Sequence, residues 1–300
     1  MKRIKNYPAG RWKGTVHSII SEIKKSLYLP VFILSCLGVA LVCCFSEGFT
    51  SGSMRTYTIM ELLLFLPKDA MLTDISLNRY EIWMRGIGTW TQLFLPFLLS
   101  VGYLYTISNE RQSGFSRVLL VRENNLKYSI SKLAAAVLGG GIIMTVGYVF
   151  FGMLVYIRFP SICEYSADSM KLYMEMNPDF QETAFFFWRC ARIFLYGVCS
   201  NIFAYLVSVF FRDKYILLCL PLMLKYIWGQ AVMKAGMDAM NKGNETALKL
   251  CSALRIENIL NTGQSAYQGL TLLLVFMLYL AGVVLTLCLT EKRGEEFGFE

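Results

Sequence analysis

One histidine, His17, stands in 300 residues, and only 17% of the chain is charged. A single imidazole leaves almost nothing for a His-based metal site or a Ser-His-Asp arrangement, since both draw ligands or bases from histidine. Nucleotide binding lacks its usual cradle as well. There is no Gly-Lys dipeptide, hence no G-x-x-x-x-G-K-[ST] loop for phosphates. Nine cysteines occur without any C-x-x-C spacing, and an odd number cannot all pair within one chain. Cys36, Cys43, Cys44, Cys199, Cys219 and Cys288 fall in or beside apolar runs and read as small apolar residues. Cys163 and Cys251 lie in different loops, and their pairing stays open because it depends on geometry. Ser129-Ile130-Ser131-Lys132 matches S-x-x-K but lacks the companion motifs of the enzymes that use it.

What fills the chain instead is apolar: 55% hydrophobic residues and a mean hydropathy of +0.47. A helix crossing about 30 Å of hydrocarbon needs roughly 20 residues with few charges. Five uncharged intervals are that long, between Lys25 and Glu47, Arg85 and Glu110, Lys132 and Arg158, Arg192 and Arg212, and Glu257 and Glu291. A sixth stretch, Tyr215 to Met233, is apolar except for Lys225 and follows its neighbour after Arg212, Asp213 and Lys214, as a helical hairpin would. The expected architecture is all-α: a polytopic membrane protein with six transmembrane helices, both termini cytoplasmic. Its parts are an N-terminal segment at 1–26 and a transmembrane domain at 27–290 with spans near 27–46, 87–108, 133–157, 191–211, 215–233 and 266–289. A cytoplasmic tail follows at 291–300. No Asp or Glu falls in the five uncharged intervals, which argues against metal-assisted hydrolysis inside the membrane.

The charges choose the orientation. Basic residues are retained on the cytoplasmic side, and the segments that six spans put there hold 16 Lys and Arg against eight Asp and Glu. That surplus equals the formal net charge of +8, so the remaining 13 basic and 13 acidic residues cancel. Such a distribution follows topology and is no footprint for nucleic acid. The first span is retained, because about 25 polar and basic residues precede it and no small-residue cleavage site follows. Before it, Trp12, Val16, Ile19, Ile20, Ile23 and Leu27 recur at helical spacing beside Arg11, Lys13, Lys24 and Lys25, the pattern of an amphipathic helix on a membrane surface. The outer segments, about 46–85, 158–188 and 234–262, are short for independent binding domains. Residues 59–66 suit an interfacial or re-entrant piece, and Met237 to Leu254 a short helix.

The most specific stretch joins spans two and three: Asn109-Glu-Arg-Gln-Ser-Gly114-Phe-Ser-Arg-Val-Leu-Leu-Val-Arg122-Glu-Asn-Asn-Leu-Lys-Tyr128-Ser-Ile-Ser-Lys132. Its order of Glu110, Gly114, Leu119, Leu120, Arg122, Tyr128 and Lys132 resembles ABC-2 type transporter permeases. In that family an acidic residue ends the second helix, a glycine turns the chain, and a short lateral helix precedes a Tyr and a Lys that open the third. The resemblance implies a permease subunit of an ATP-driven exporter in a bacterial plasma membrane, not itself an enzyme, with no cofactor in this chain and with ATP and Mg on a partner ATPase. It implies also a second permease subunit, as homo- or heterodimer. Glu110, Gly114, Arg117, Arg122, Tyr128 and Lys132 would then couple the chain to the ATPase through a coupling helix. Independently of family, Phe115, Val118, Leu119 and Val121 give such a helix an apolar side for a groove, and Arg117 and Arg122 suit an acidic rim.

Other features have two readings each. Lys225 lies near mid-membrane by helix rise, where it faces a pathway, a partner or a subunit interface, or else snorkels outward from a helix broken at Pro221 or Gly229-Gln230. Small residues four apart, Ala135 with Gly139, Ala136 with Gly140 and Gly141 with Thr145, suit close packing within the bundle or between subunits. Arg189 and Arg192 read as outer-interface anchors, Gln92 and Asn201 as helix-packing glue. Two functional rivals remain: a noncatalytic membrane scaffold or sensor, and an intramembrane enzyme, the latter weakened by the single histidine.

Overall fold

The computed structural model describes residues 17–24, 30–50, 55–113, 125–176, 182–210 and 213–255, together with positions 259, 260, 277, 281, 282, 284 and 285. The chain is mostly helical. Residues 17–24 form helix α1, and α2 covers Pro30–Cys44. Strands β1 (Glu47–Thr50) and β2 (Thr56–Thr58) pair antiparallel, and short helices α3 (Ile59–Phe65), α4 (Lys68–Met71) and α5 (Arg79–Arg85) follow. The long helices are α6 (Thr89–Gln112), α7 (Asn125–Arg158), α9 (Glu182–Phe210) and α10 (Lys214–Asn241), with α8 (Ala167–Met176) and α11 (Glu245–Leu254) between and after them. At 1.5 Å per residue, α7 is about 51 Å long and α9 and α10 more than about 40 Å. Among the described residues one stretch, Ile130–Glu164, is long and apolar enough to cross a membrane by length and composition, while Pro30–Cys44 and Trp90–Gly102 are apolar but shorter. Most of the expected span at 266–289 lies outside the described residues; positions 277, 281, 282, 284 and 285 are helical.

α7 is the centre of the bundle, packed against α2, α6 and α9, while α10 lies against α6, α9 and α11. Small residues make this possible. A β-carbon on Gly147 of α7 would come within 2.7 Å of the Cys36 carbonyl oxygen in α2, and one on Gly197 of α9 within 2.8 Å of the Gly140 carbonyl oxygen in α7. Asn201 of α9, fully buried, donates from Nδ2 to the Ala136 carbonyl oxygen of α7 at 2.6 Å. The small-residue rows of α7 therefore serve packing inside one chain, and Asn201 is interhelical glue.

The segment between α2 and α6 is more than a connection. Glu47, Phe49 and Thr50 pair with Thr58, Tyr57 and Thr56, with a register shift between Glu47 and Phe49. Thr58 and Glu61 form a reciprocal capping box that starts α3, which satisfies amide groups that a helix start otherwise leaves open. Buried Asn78 caps α5, accepting from the amides of Tyr80 at 2.9 Å and Glu81 at 3.0 Å. Two arginines fasten this unit: Arg158, at the end of α7, donates from outside it to the carbonyls of Leu63 at 3.1 Å and Leu66 at 2.6 Å, and Arg85 of α5 donates within it to that of Gly48 at 2.7 Å. Ile59, Leu62, Met71, Leu77, Ile82 and Trp83 join the same core as α2, α7 and α9. This segment shares its core with the bundle. Residues 59–65 are a short capped helix, and the β-hairpin, the only one among the described residues, departs from a purely helical reading.

α10 also differs from expectation. It continues unbroken through Pro221, Gly229 and Gln230 to Asn241, past the anticipated end at 233. A single proline seven residues after the first helical position removes one backbone bond, and an internal glycine costs only about 1 kcal/mol. The stop comes at Gly243, whose φ of 63° turns the chain into α11; Asn244 Oδ1 then caps α11 by accepting from the Ala247 amide at 3.1 Å. Trp228 Nε1 donates to the Leu254 carbonyl at 3.2 Å, closing the α10–α11 hairpin.

Candidate functional site

α6 ends and α7 begins at one ion cluster. Lys132 Nζ donates to Glu110 Oε2 at 2.5 Å and to Glu22 Oε2 at 2.6 Å. Only 3% of the lysine side chain, 9% of that of Glu110 and 14% of that of Glu22 is exposed. Glu110 sits in the last turn of α6, Lys132 two turns into α7, and Glu22 in α1, far upstream in sequence. Tyr128, one turn before Lys132, presents its ring 5.8 Å from the ammonium. Below the ions, Ile23 of α1 packs against a cluster that includes Ile107, Leu133, Val137, Ile202 and Tyr205. Two carboxylates around one ammonium are favourable only in close, hydrogen-bonded geometry, because desolvating ions is costly. The cluster ties three helices at the two ends of the connection between α6 and α7.

Of the seven residues singled out by sequence, Glu110, Tyr128 and Lys132 thus come together. Gly114, Arg117 and Arg122 lie outside the described residues. Lys225 lies apart. Its ammonium donates to the Gln92 carbonyl of α6 at 3.0 Å and to the Tyr196 hydroxyl of α9, and it stands 4.6 Å from the Tyr196 ring centroid. Part-buried, it reaches between helices to these two acceptors from an unbroken α10.

Sequence reasoning missed Glu22 and underrated Arg189. Arg189 is not an interface anchor: it is 6% exposed and gathers three elements. Its guanidinium donates to the Leu260 carbonyl at 2.8 Å, to the Met84 carbonyl at 3.0 Å and to the Tyr148 hydroxyl at 3.4 Å. Tyr148 in turn donates to the Trp83 carbonyl. The Trp83 indole is stacked between Tyr148 and Phe186, with centroids at 5.2 and 5.3 Å. Carbonyl acceptors leave no charge pattern in a sequence, so no motif could reveal this arginine, and Glu22 stands among the other charges of an amphipathic helix.

Among the described residues no group of three His, Cys, Asp or Glu could hold a metal ion. Cys163 and Cys251 are both free thiols. What the arrangement offers is mechanical: buried polar ties at both ends of a helical bundle. No family model, curated protein or solved structure matches the chain.

Proposed function

We propose that the chain is the membrane-spanning permease subunit of an ATP-driven ABC exporter in a bacterial plasma membrane. Six spans put both termini in the cytoplasm, a second permease subunit completes the pathway, and a separate ATPase supplies energy. The observation that carries this reading is the buried Glu22–Lys132–Glu110 cluster. A motor can bias a transmembrane equilibrium only through a projection whose movement the helices feel. The connection between α6 and α7 has that character, since its two ends are joined through Lys132 and fixed to α1. The resemblance of residues 109–132 to ABC-2 permeases supports the same partner.

Apolar side chains on the outside of the bundle support the bilayer as solvent. Leu34 and Leu41 of α2, Met153 and Ile157 of α7, and Phe187 and Ile227 of α9 and α10 are all exposed, an arrangement costly in water and favourable against lipid. Alternating access then follows as a shift between inward-facing and outward-facing populations, driven by nucleotide state in the partner.

The test is to copurify the chain with its ATPase and compare Gly114→Trp and the Arg117→Glu/Arg122→Glu pair with the wild type. The expected outcome is normal insertion, with stimulation of the ATPase by the permease lost. Full stimulation by both variants, or transport by the purified chain with no ATPase present, refutes the assignment.

A further inference from the structure

Pro96 lies inside α6. In a helix each amide donates to the carbonyl four residues earlier. Proline has no amide hydrogen, so the carbonyl of residue i−4 loses its helical donor and is pushed aside by the ring. For Pro96 that carbonyl belongs to Gln92. It is the Gln92 carbonyl that accepts from Lys225 Nζ at 3.0 Å. Next in α6, Ser100 Oγ donates back to the Pro96 carbonyl at 2.6 Å, a back-bond of the kind that bends helices. α6 therefore has a weakened stretch over 92–100, and a cation from another helix supplies a donor where proline removes one.

The lysine is itself held from a third helix. The Tyr196 hydroxyl of α9 accepts from it, the Tyr196 ring faces it at 4.6 Å, and Tyr196 is fully buried. A cation on an aromatic face gains further when desolvated. Lys225 stands 11 residues into α10, about 17 Å along its axis, so three long helices meet at one ammonium near the middle of α10.

We propose that Lys225 is a positioning residue: its ammonium takes the acceptor that Pro96 orphans in α6, latching α10 to the proline bend so that the two helices move as one body. The latch goes beyond the transport reading and rests on helix geometry alone. Its chemistry explains why a lysine, costly at this depth, stands here, and why replacing it has consequences that depend on residue 96.

The experiment is a double-substitution cycle on the full-length chain purified in detergent, read by the midpoint of thermal unfolding from tryptophan fluorescence. Lys225→Met should lower the midpoint by roughly 3–6 °C, because a part-buried acceptor loses a charged donor. In the Pro96→Ala background, where the alanine amide can bond Gln92, the same lysine substitution should cost less than half as much. Lys225→Arg, which keeps a cationic donor, should lose less than Lys225→Met. Equal losses in the two backgrounds, or no loss on Lys225→Met, overturn the latch. Should Lys225→Met fail to fold, folded protein must reappear in Pro96→Ala/Lys225→Met, and its absence there overturns the latch as well. None of these readouts requires nucleotide or a partner, so failure here leaves the permease reading to its own test.

Discussion

Losing Lys132 strands two carboxylates at once, whereas losing Glu22 leaves a complete pair behind. Burial decides the size of this difference, because an unpaired ion away from water is penalised far more than a missing hydrogen bond. Lys132→Met is expected to destabilise the chain by about 3–5 kcal/mol, and Glu22→Gln by only about 1 kcal/mol. Denaturant unfolding of the purified chain measures both, and equal losses would show that Glu110 and Lys132 do not form a self-sufficient pair. Glu110 and Lys132 are legible in sequence because each bounds a long uncharged interval, where an ionisable residue must have a reason. Glu22 is hidden among the charges of an amphipathic helix, and nothing local distinguishes a solvated glutamate from one turned toward the bundle. Arg189 is hidden for another reason: its acceptors are backbone carbonyls, which every residue possesses.

Helices, as elements, follow hydropathy closely here. α2, α6, α7, α9 and α10 all fall on apolar intervals, and their ends shift where cap residues, not charges, stop them, as at Gly243. The segment between α2 and α6 has no such periodic signal, since its helices are four to seven residues long and stand on caps and long-range ties. Beyond it, Tyr173 of α8 is buried and donates to Glu81 of α5 at 3.4 Å. Burial, then the nearby Glu81 carboxylate, pushes its phenol well above the ordinary value of 10.0; burial, then Asp74 and Glu164, raises Tyr165 likewise. The folded state thus favours the neutral phenols, and their contribution is complete below pH 10 and is lost as pH rises through the raised values. Thermal unfolding measured from pH 9 upward should show the midpoint falling less steeply in Tyr173→Phe than in the wild type. Parallel curves would remove Tyr173 as a source of alkaline sensitivity.

For the whole molecule, the proposed topology, with the surplus of basic residues on the cytoplasmic side, puts the connection between α7 and α9 outside. Cys163 in that connection is an exposed thiol. In a variant keeping Cys163 as its sole cysteine, a membrane-impermeant maleimide should label intact cells, whereas a cysteine placed at exposed Ser113 should react only after lysis. The reverse pattern would invert the topology. The layout of long helices is legible because their apolar runs are continuous and their ends are marked by charges, residue by residue. The joining of distant parts is not, because it depends on which surfaces meet after the chain has folded.

The ties that Arg158 and Arg189 make to the segment between α2 and α6 span 92 to 105 residues. During translation the β-hairpin and α3–α5 emerge long before the arginines that fasten them, and Trp83 has neither of its flanking rings until Tyr148 and Phe186 leave the ribosome. This end of the bundle therefore cannot complete itself when its own residues are made, and its maturation waits on the helices that follow it.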